Sequence, residues 1–254
     1  MMILALLNLI LFLFGLIFLV PKNTWKKPLT EYKQIFRYQF VYLGLIIVVV
    51  ILHLLEVNIL DTITTNYIGV NFTPSIQFIE DGIVHWFSAL WTPVLIYFFV
   101  FVYIGLYPFM LWFTLLYFII ADEKKAMKTF AYSLVGIYAI ALPFYLFVPI
   151  TNVYNYYGTP SALNMVIPTI EQFFYTTTTN NNCFPSLHVA LSLLLVKTVS
   201  LTNNKRFIYL TYFCAICVIF SVIYLAIHWI TDVIGGILLT FGVFSIVKHF
   251  MKET

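Results

Sequence analysis

Long apolar runs alternate along this chain with short polar connections, and within the runs polarity gathers at the ends instead of alternating residue by residue. A helix of about 20 residues crosses the roughly 30 Å hydrocarbon core of a bilayer, whereas a membrane strand would show a period of two. The pattern predicts seven spans, at 2–20, 38–55, 92–120, 129–150, 184–201, 207–226 and 230–247. The expected fold is therefore an all-α polytopic membrane protein. The run at 92–120 is too long to cross upright and contains Pro108, which predicts a tilt or a kink. Between the second and third spans, Ile76, Ile79, Ile83, Phe87 and Leu90 recur at helical spacing beside Glu80, Asp81 and His85, predicting a helix lying along the interface. The first run lacks a leading basic residue and a small-residue cleavage site, so it is expected to be a retained anchor.

Composition agrees with this solvent. At 62% hydrophobic and 9% charged residues, with a mean hydropathy of +0.98, the chain has more apolar surface than a soluble domain can hide from water. Its three cysteines make no disulfide framework, and Cys214 and Cys217 inside an apolar run read as helix packing. Charge sets the expected orientation. Lys22, Lys26, Lys27, Lys33 and Arg37, then Lys124, Lys125 and Lys128, then Lys205 and Arg206, then Lys248 and Lys252 with His249, occupy alternate connections. Glu56, Asp61, Glu80, Asp81, Glu171 and Asp232 fall on the opposite side. The basic connections are then cytoplasmic, with Lys197 reaching the same side, and the amino terminus lies outside a multi-pass cell-membrane protein. The net charge of +3 thus reports topology and implies no nucleic-acid partner.

Chemistry concentrates in Phe184-Pro185-Ser186-Leu187-His188 and His228-Trp229-Ile230-Thr231-Asp232, both at predicted outer ends of spans. Pro185 suits a first helical turn, with His188 just inside it. Asp232 follows His228 by four residues, so the two share a face if the last helix begins at or before His228. The carboxylate then takes a proton from one ring nitrogen and leaves the other free to attack an electrophile.

These stretches, with Ser221-x6-His228-x3-Asp232, resemble the type-2 phosphatidic acid phosphatase superfamily, whose signatures read Pro-Ser-Gly-His and Ser-Arg-x5-His-x3-Asp. Phe-Pro-Ser-Leu-His and His-Trp-x2-Asp-Val-Ile-Gly-Gly are closer to its inositol phosphorylceramide synthase-like branch. The resemblance implies a six-helix phosphatase-like core at 38–254, preceded by an N-terminal transmembrane anchor and basic linker at 1–37. It implies a lipid phosphate or phospholipid substrate and no metal or cofactor. His228 would form a phosphohistidine, Asp232 would orient it, and His188 would protonate the leaving oxygen. Ser186 and the amide of Leu187 would hold phosphoryl oxygens. Water as second nucleophile makes a phosphatase; a lipid hydroxyl makes a transferase.

The departures are specific. The superfamily's three phosphate-binding cations, from a Lys-x6-Arg-Pro signature and an arginine beside the later serine, have no counterpart. Val222 takes the arginine position, and no lysine or arginine occurs from Thr129 to Leu187. Helix amino termini at Pro185 and near Ile230, and the side chains of Asn152, Tyr154, Asn180, Asn181 and Asn182, are the expected replacements. A phosphodiester, with its single charge, tolerates that loss better than a monoester. A catalytically silent relative that binds lipid or partner helices stays open as the second reading. A vanadate-type haloperoxidase needs the same cations, and a transporter would want more polar residues deep in its spans.

Other features point to structure. His53 and His85 read as hydrogen-bonded structural histidines, Thr176 to Asn182 as a mobile approach or a plain solvated loop, and Asn71-Phe72-Thr73 as a weak glycosylation sequon. Gly235-Gly236 is expected to permit close helix packing.

Overall fold

A computed structural model describes residues 2–22, 24 and 27–251; Lys26 and Lys252 of the basic connections lie outside the described residues. All regular structure among the described residues is helical. The order is α1 (Met2–Phe18), α2 (Leu29–Leu55), α3 (Asp61–Ile68), α4 (Thr73–Glu80), α5 (Ile83–Phe87), α6 (Pro93–Val100), α7 (Tyr107–Ile120), α8 (Lys124–Phe147), α9 (Val153–Tyr156), α10 (Ala162–Val166), α11 (Ile170–Phe174), α12 (Leu187–Val199), α13 (Lys205–Tyr224) and α14 (Ile230–Phe250). Among the described residues, five helical stretches are long and apolar enough to cross a membrane: Leu29–Ile68, Pro93–Ile120, Lys124–Phe147, Lys205–Tyr224 and Ile230–Phe250. Two of the seven expected spans are shorter apolar helices, Ala5–Phe18 and Leu187–Val199.

Local chemistry explains the boundaries. The second span begins after Pro28, well before residue 38, and runs through a π-helical turn at Glu56–Leu60 into α3, ending where Gly69 turns left-handed at φ 62. The third starts at Pro93, where a missing N–H costs nothing. Pro108 does not break it. A π-helical segment, Phe101–Leu106, widens the helix around the Ile104 carbonyl that the proline ring would otherwise strike. The expected single interfacial helix is two helices, because Asp81 and Gly82 are both left-handed, at φ 47 and 73, and no right-handed helix passes through such a pair. Ile79 and Ile83 of the expected stripe are exposed, and Val84 is the buried anchor.

α12 is the central element, packed on α7, α8, α13 and α14. Its contact with α14 is close because position 236 has no side chain. A Cβ there would stand 2.6 Å from the Ser186 carbonyl, and Thr240 Oγ1 donates to the Ala190 carbonyl at 3.0 Å one turn on. At the other end of the bundle, Asn204 donates to the Leu19 carbonyl at 2.6 Å and to the Tyr117 hydroxyl at 3.2 Å, while Gln39 donates to the Phe118 carbonyl at 3.3 Å. Thr129 donates to the Met251 sulfur at 3.4 Å. These bonds gather at one pole the ends of helices that carry Lys22, Lys27, Lys124, Lys125, Lys205, Arg206 and Lys248. Lys197, in the last turn of α12, lies over the Phe241 ring at 4.2 Å.

Candidate active site

His188 sits in the first turn of α12. Ser186 is the N-cap: its hydroxyl accepts from Val189 N at 3.4 Å, and its own N–H donates to the Asp232 carbonyl at 3.0 Å. Pro185 therefore precedes the helix instead of opening it, and the Tyr145 hydroxyl donates to its carbonyl at 2.6 Å. The His188 ring stacks on Tyr103 at 4.6 Å between centroids and leans on Tyr107 at 4.9 Å. Tyr103 lies ten residues along the helix that starts at Pro93, about 15 Å down its axis. His188 is thus recessed within the bundle, because α12, at 13 residues, rises only about 20 Å.

His228 arrives by a different route from the one expected. α13 ends at Tyr224, Ala226 turns left-handed at φ 54, and Ile227 N and His228 N both donate to the Val222 carbonyl at 3.0 Å. The helix of Asp232 starts only at Ile230, so His228 lies outside it. Asp232, in the first turn, reaches back over the helix end: one oxygen accepts from Trp229 N at 2.9 Å and stands 3.2 Å from His228 Nδ1. The carboxylate that caps the helix also fixes the imidazole, with the tautomer Nδ1–H, leaving Nε2 with its lone pair. Trp229 is fully buried and donates to the Thr151 carbonyl at 2.8 Å, anchoring the turn.

The rings of His188 and His228 are 5.7 Å apart, between centroids. Both line one cavity of about 790 Å³, together with Leu187, Asn152 and Asn182. Its wall is mostly apolar, with Asn152, Asn182 and Thr177 to Thr179 among its polar residues, and it runs between α2, α7 and α8 as far as Leu115 and Phe130 near the basic pole. No lysine or arginine among the described residues lines it.

Several expected phosphate-binding groups are committed elsewhere. Ser186 is fully buried beneath its helix and does not line the cavity. The amino terminus at Ile230 is occupied: Glu80 accepts from Ile230 N at 3.0 Å and Thr231 N at 2.6 Å, satisfying the amides an anion would need. Asn152 caps α9, its carbonyl oxygen accepting from Asn155 N at 3.0 Å and its amide donating to the Tyr175 hydroxyl at 3.2 Å. Asn182 donates to Glu56 at 3.3 Å. Tyr154 hydrogen-bonds Glu171 and Tyr175; burial, then the neighbouring Tyr175 and Glu171, push its hydroxyl far up, so it remains a donor. The 176–182 strip is pinned, with Ile150 N donating to the Asn181 carbonyl at 2.7 Å and Asn152 N to the Asn180 carbonyl at 3.1 Å. Asn71 of the sequon donates to Thr151 Oγ1 at 2.7 Å. His85 stacks on Tyr157 at 4.1 Å, and its Nδ1 is buried without a hydrogen-bond partner among the described residues, so ring packing stands in place of the expected hydrogen bond.

A family model described as PAP2 superfamily matches residues 75–246, from α4 to near the end of α14 and well over half of the chain. The chain belongs to the PAP2 superfamily. PAP2 proteins are generally phosphatases, so the chain is a multi-pass helical membrane protein of phosphatase or phosphotransferase type. No curated protein and no solved structure matched the chain. The matched region holds His188, His228 and Asp232, and also Tyr103, Tyr107 and Glu80, which motif reading did not single out as site residues. Glu80 had a signal, a carboxylate on an amphipathic stretch, but nothing in sequence links it to a helix 150 residues away. Cys183 Sγ, a His228 ring nitrogen and an Asp232 oxygen lie within 4.8 Å of one another, a grouping of metal-ligand type that motif spacing did not reveal. Burial, then the charge of Asp232, push the Cys183 thiol well up, and Nδ1 of His228 already faces Asp232, so the donors present are a thiol and an engaged His-carboxylate pair.

Proposed function

We propose that this PAP2 protein transfers or hydrolyses the phosphoryl group of a lipid, most favourably a phosphodiester, through a phosphohistidine on His228. The observation that carries the reading is the pair of imidazoles 5.7 Å apart at one end of a long apolar cavity. His228 Nε2 attacks phosphorus while the bond to the leaving oxygen breaks, and His188 gives that oxygen its proton. Asp232 supports the positive charge that develops on His228. In the second step the neutral His188 takes a proton from water or a lipid hydroxyl, whose oxygen attacks phosphorus and frees His228. The part of the cavity below the histidines suits a hydrocarbon chain, since residues such as Ile104, Leu111, Leu115, Phe130, Leu134 and Ile137 line it. The acidic pole holding the site lies opposite the basic pole, which supports an extracytoplasmic reaction at the cell membrane.

The absence of lysine and arginine from the described residues of the cavity wall supports the second reading, a silent relative that binds lipid or partner helices. One assay separates them. Purified protein is given phospholipids labelled in the headgroup phosphate, with and without a lipid alcohol acceptor, beside His228→Ala. Acid-labile labelling of wild-type protein and turnover that falls by roughly 10⁴-fold in His228→Ala support the enzyme. Absence of label and turnover over a panel of monoesters and diesters overturns it.

A further inference from the structure

A phosphoryl anion in an apolar cavity needs a positive partner, and among the described lining residues only three side chains can take a positive charge: His53, His188 and His228. In the reaction proposed above, His228 must present a lone pair and His188 must cycle its proton. His53 remains. It projects from the last turn of α2 into the same cavity, within electrostatic reach of His188, and its ring stands edge-on to Tyr138 at 5.8 Å.

Both nitrogens of His53 face acceptors. Nε2 lies 3.1 Å from the Thr177 carbonyl, which can only accept, so this nitrogen bears hydrogen. Nδ1 stands 3.3 Å from Glu56 Oε2. This is an ion-pair distance and not an aligned hydrogen bond, since neither Nδ1 nor Oε2 has a hydrogen-bond partner among the described residues, so the carboxylate acts on the ring through its charge. Glu56 is fully buried behind the histidine, away from the cavity wall, and its other oxygen accepts from the Asn182 amide at 3.3 Å. With the ring protonated, the pair is a dipole with its positive end toward the cavity. The π-helical turn that starts at Glu56 aims the carboxylate inward, beside the buried Asp61 one turn on.

We propose that His53, paired with the buried Glu56, is the anion-binding group of this site and holds a phosphoryl oxygen through Nε2–H in exchange for the Thr177 carbonyl. This rests on the lipid-phosphoryl reading, and its test is chosen to be separable from turnover. The titratable groups around His53 are Glu56 and Asp61 on its own helix, Tyr138 and Tyr145 on α8, and His188 and His228 across the cavity.

The probe is dimethyl phosphate, which stays singly charged across the pH range, and binding to the full chain in detergent micelles is read from ³¹P line broadening. Wild-type protein should bind the probe, and His53→Gln should bind it roughly 10- to 100-fold more weakly. His53→Arg should retain binding, and Glu56→Gln, which removes the charge behind the ring, should weaken it. If His53→Gln fails to fold by thermal unfolding, the other two variants decide. Equal binding by folded His53→Gln, or binding lost in His53→Arg and unchanged in Glu56→Gln, overturns the proposal. Weakened binding in His53→Gln with no wild-type turnover keeps the clamp and removes the enzyme reading; unaltered binding with turnover lost in His228→Ala does the reverse.

Discussion

Asp232 performs two tasks with one oxygen: it closes the first turn of α14 through Trp229 N and aligns His228. Asparagine can keep both contacts through its carbonyl oxygen but removes the charge that steadies an imidazolium. Asp232→Asn is expected to keep the unfolding temperature within a few degrees of wild type and to lower turnover by roughly 10³–10⁴-fold; activity near wild type would remove Asp232 from the chemistry. The motif residues His188, His228 and Asp232 were legible because their spacing to helix ends is a local property. Tyr103 and Tyr107 were not, since aromatic residues in an apolar run carry no mark of which one meets a histidine from another helix. Val222 shows the opposite case. The position matched to an arginine is fully buried, and its carbonyl carries the turn that delivers His228.

At the scale of elements, two joints hold the site. Gly236 lets α14 lie against the start of α12, and a methyl group there would meet backbone at 2.6 Å, which cannot swing aside. Gly236→Ala should destabilise the protein by about 1–3 kcal/mol and depress turnover, because Ser186 and His188 move with the displaced turn. Thermal unfolding in detergent checks this, and an unchanged transition would show that the helices give way without cost. Glu80 supplies the second joint. Glu80→Ala strips two amides of their acceptor and should cost about 1.5–3 kcal/mol, with a larger loss than Glu80→Gln, which keeps an oxygen in place. Equal stability of the two variants would mean that water serves these amides as well. Helix existence was readable from hydrophobic runs, and so was the close packing at the glycines. The split of the expected interfacial helix at Asp81 and Gly82, and the π-helical route around Pro108, were not. The first depends on tertiary surroundings such as Tyr157 beside Gly82, and the second is one of several ways in which a helix can take up a proline, which the residue alone does not choose between.

The molecule as a whole is polar in the electrical sense, with lysines and arginines gathered at one end and the histidine site toward the other. Cysteine substitutions at exposed positions test the orientation, since the native cysteines are buried. Tyr67→Cys, at a side chain 89% exposed, should react with a membrane-impermeant maleimide added to intact cells. Asn203→Cys, on the turn beside Lys205, should react only after permeabilisation. The reverse pattern would place the site in the cytoplasm. The amino-acid sequence alone determined the solvent, the helical class, the alternation of charge and which three polar groups to put forward as candidates, because each follows from local composition or from spacing along one segment. Tertiary structure alone decided that the histidines meet, that Glu80 fills a helix end expected to bind phosphate, that His188 is recessed, and that His53 backed by Glu56 faces the same apolar cavity. Those relations include hydrogen bonds between residues 150 and 151 positions apart, and only the packing of helices against one another fixes such distances.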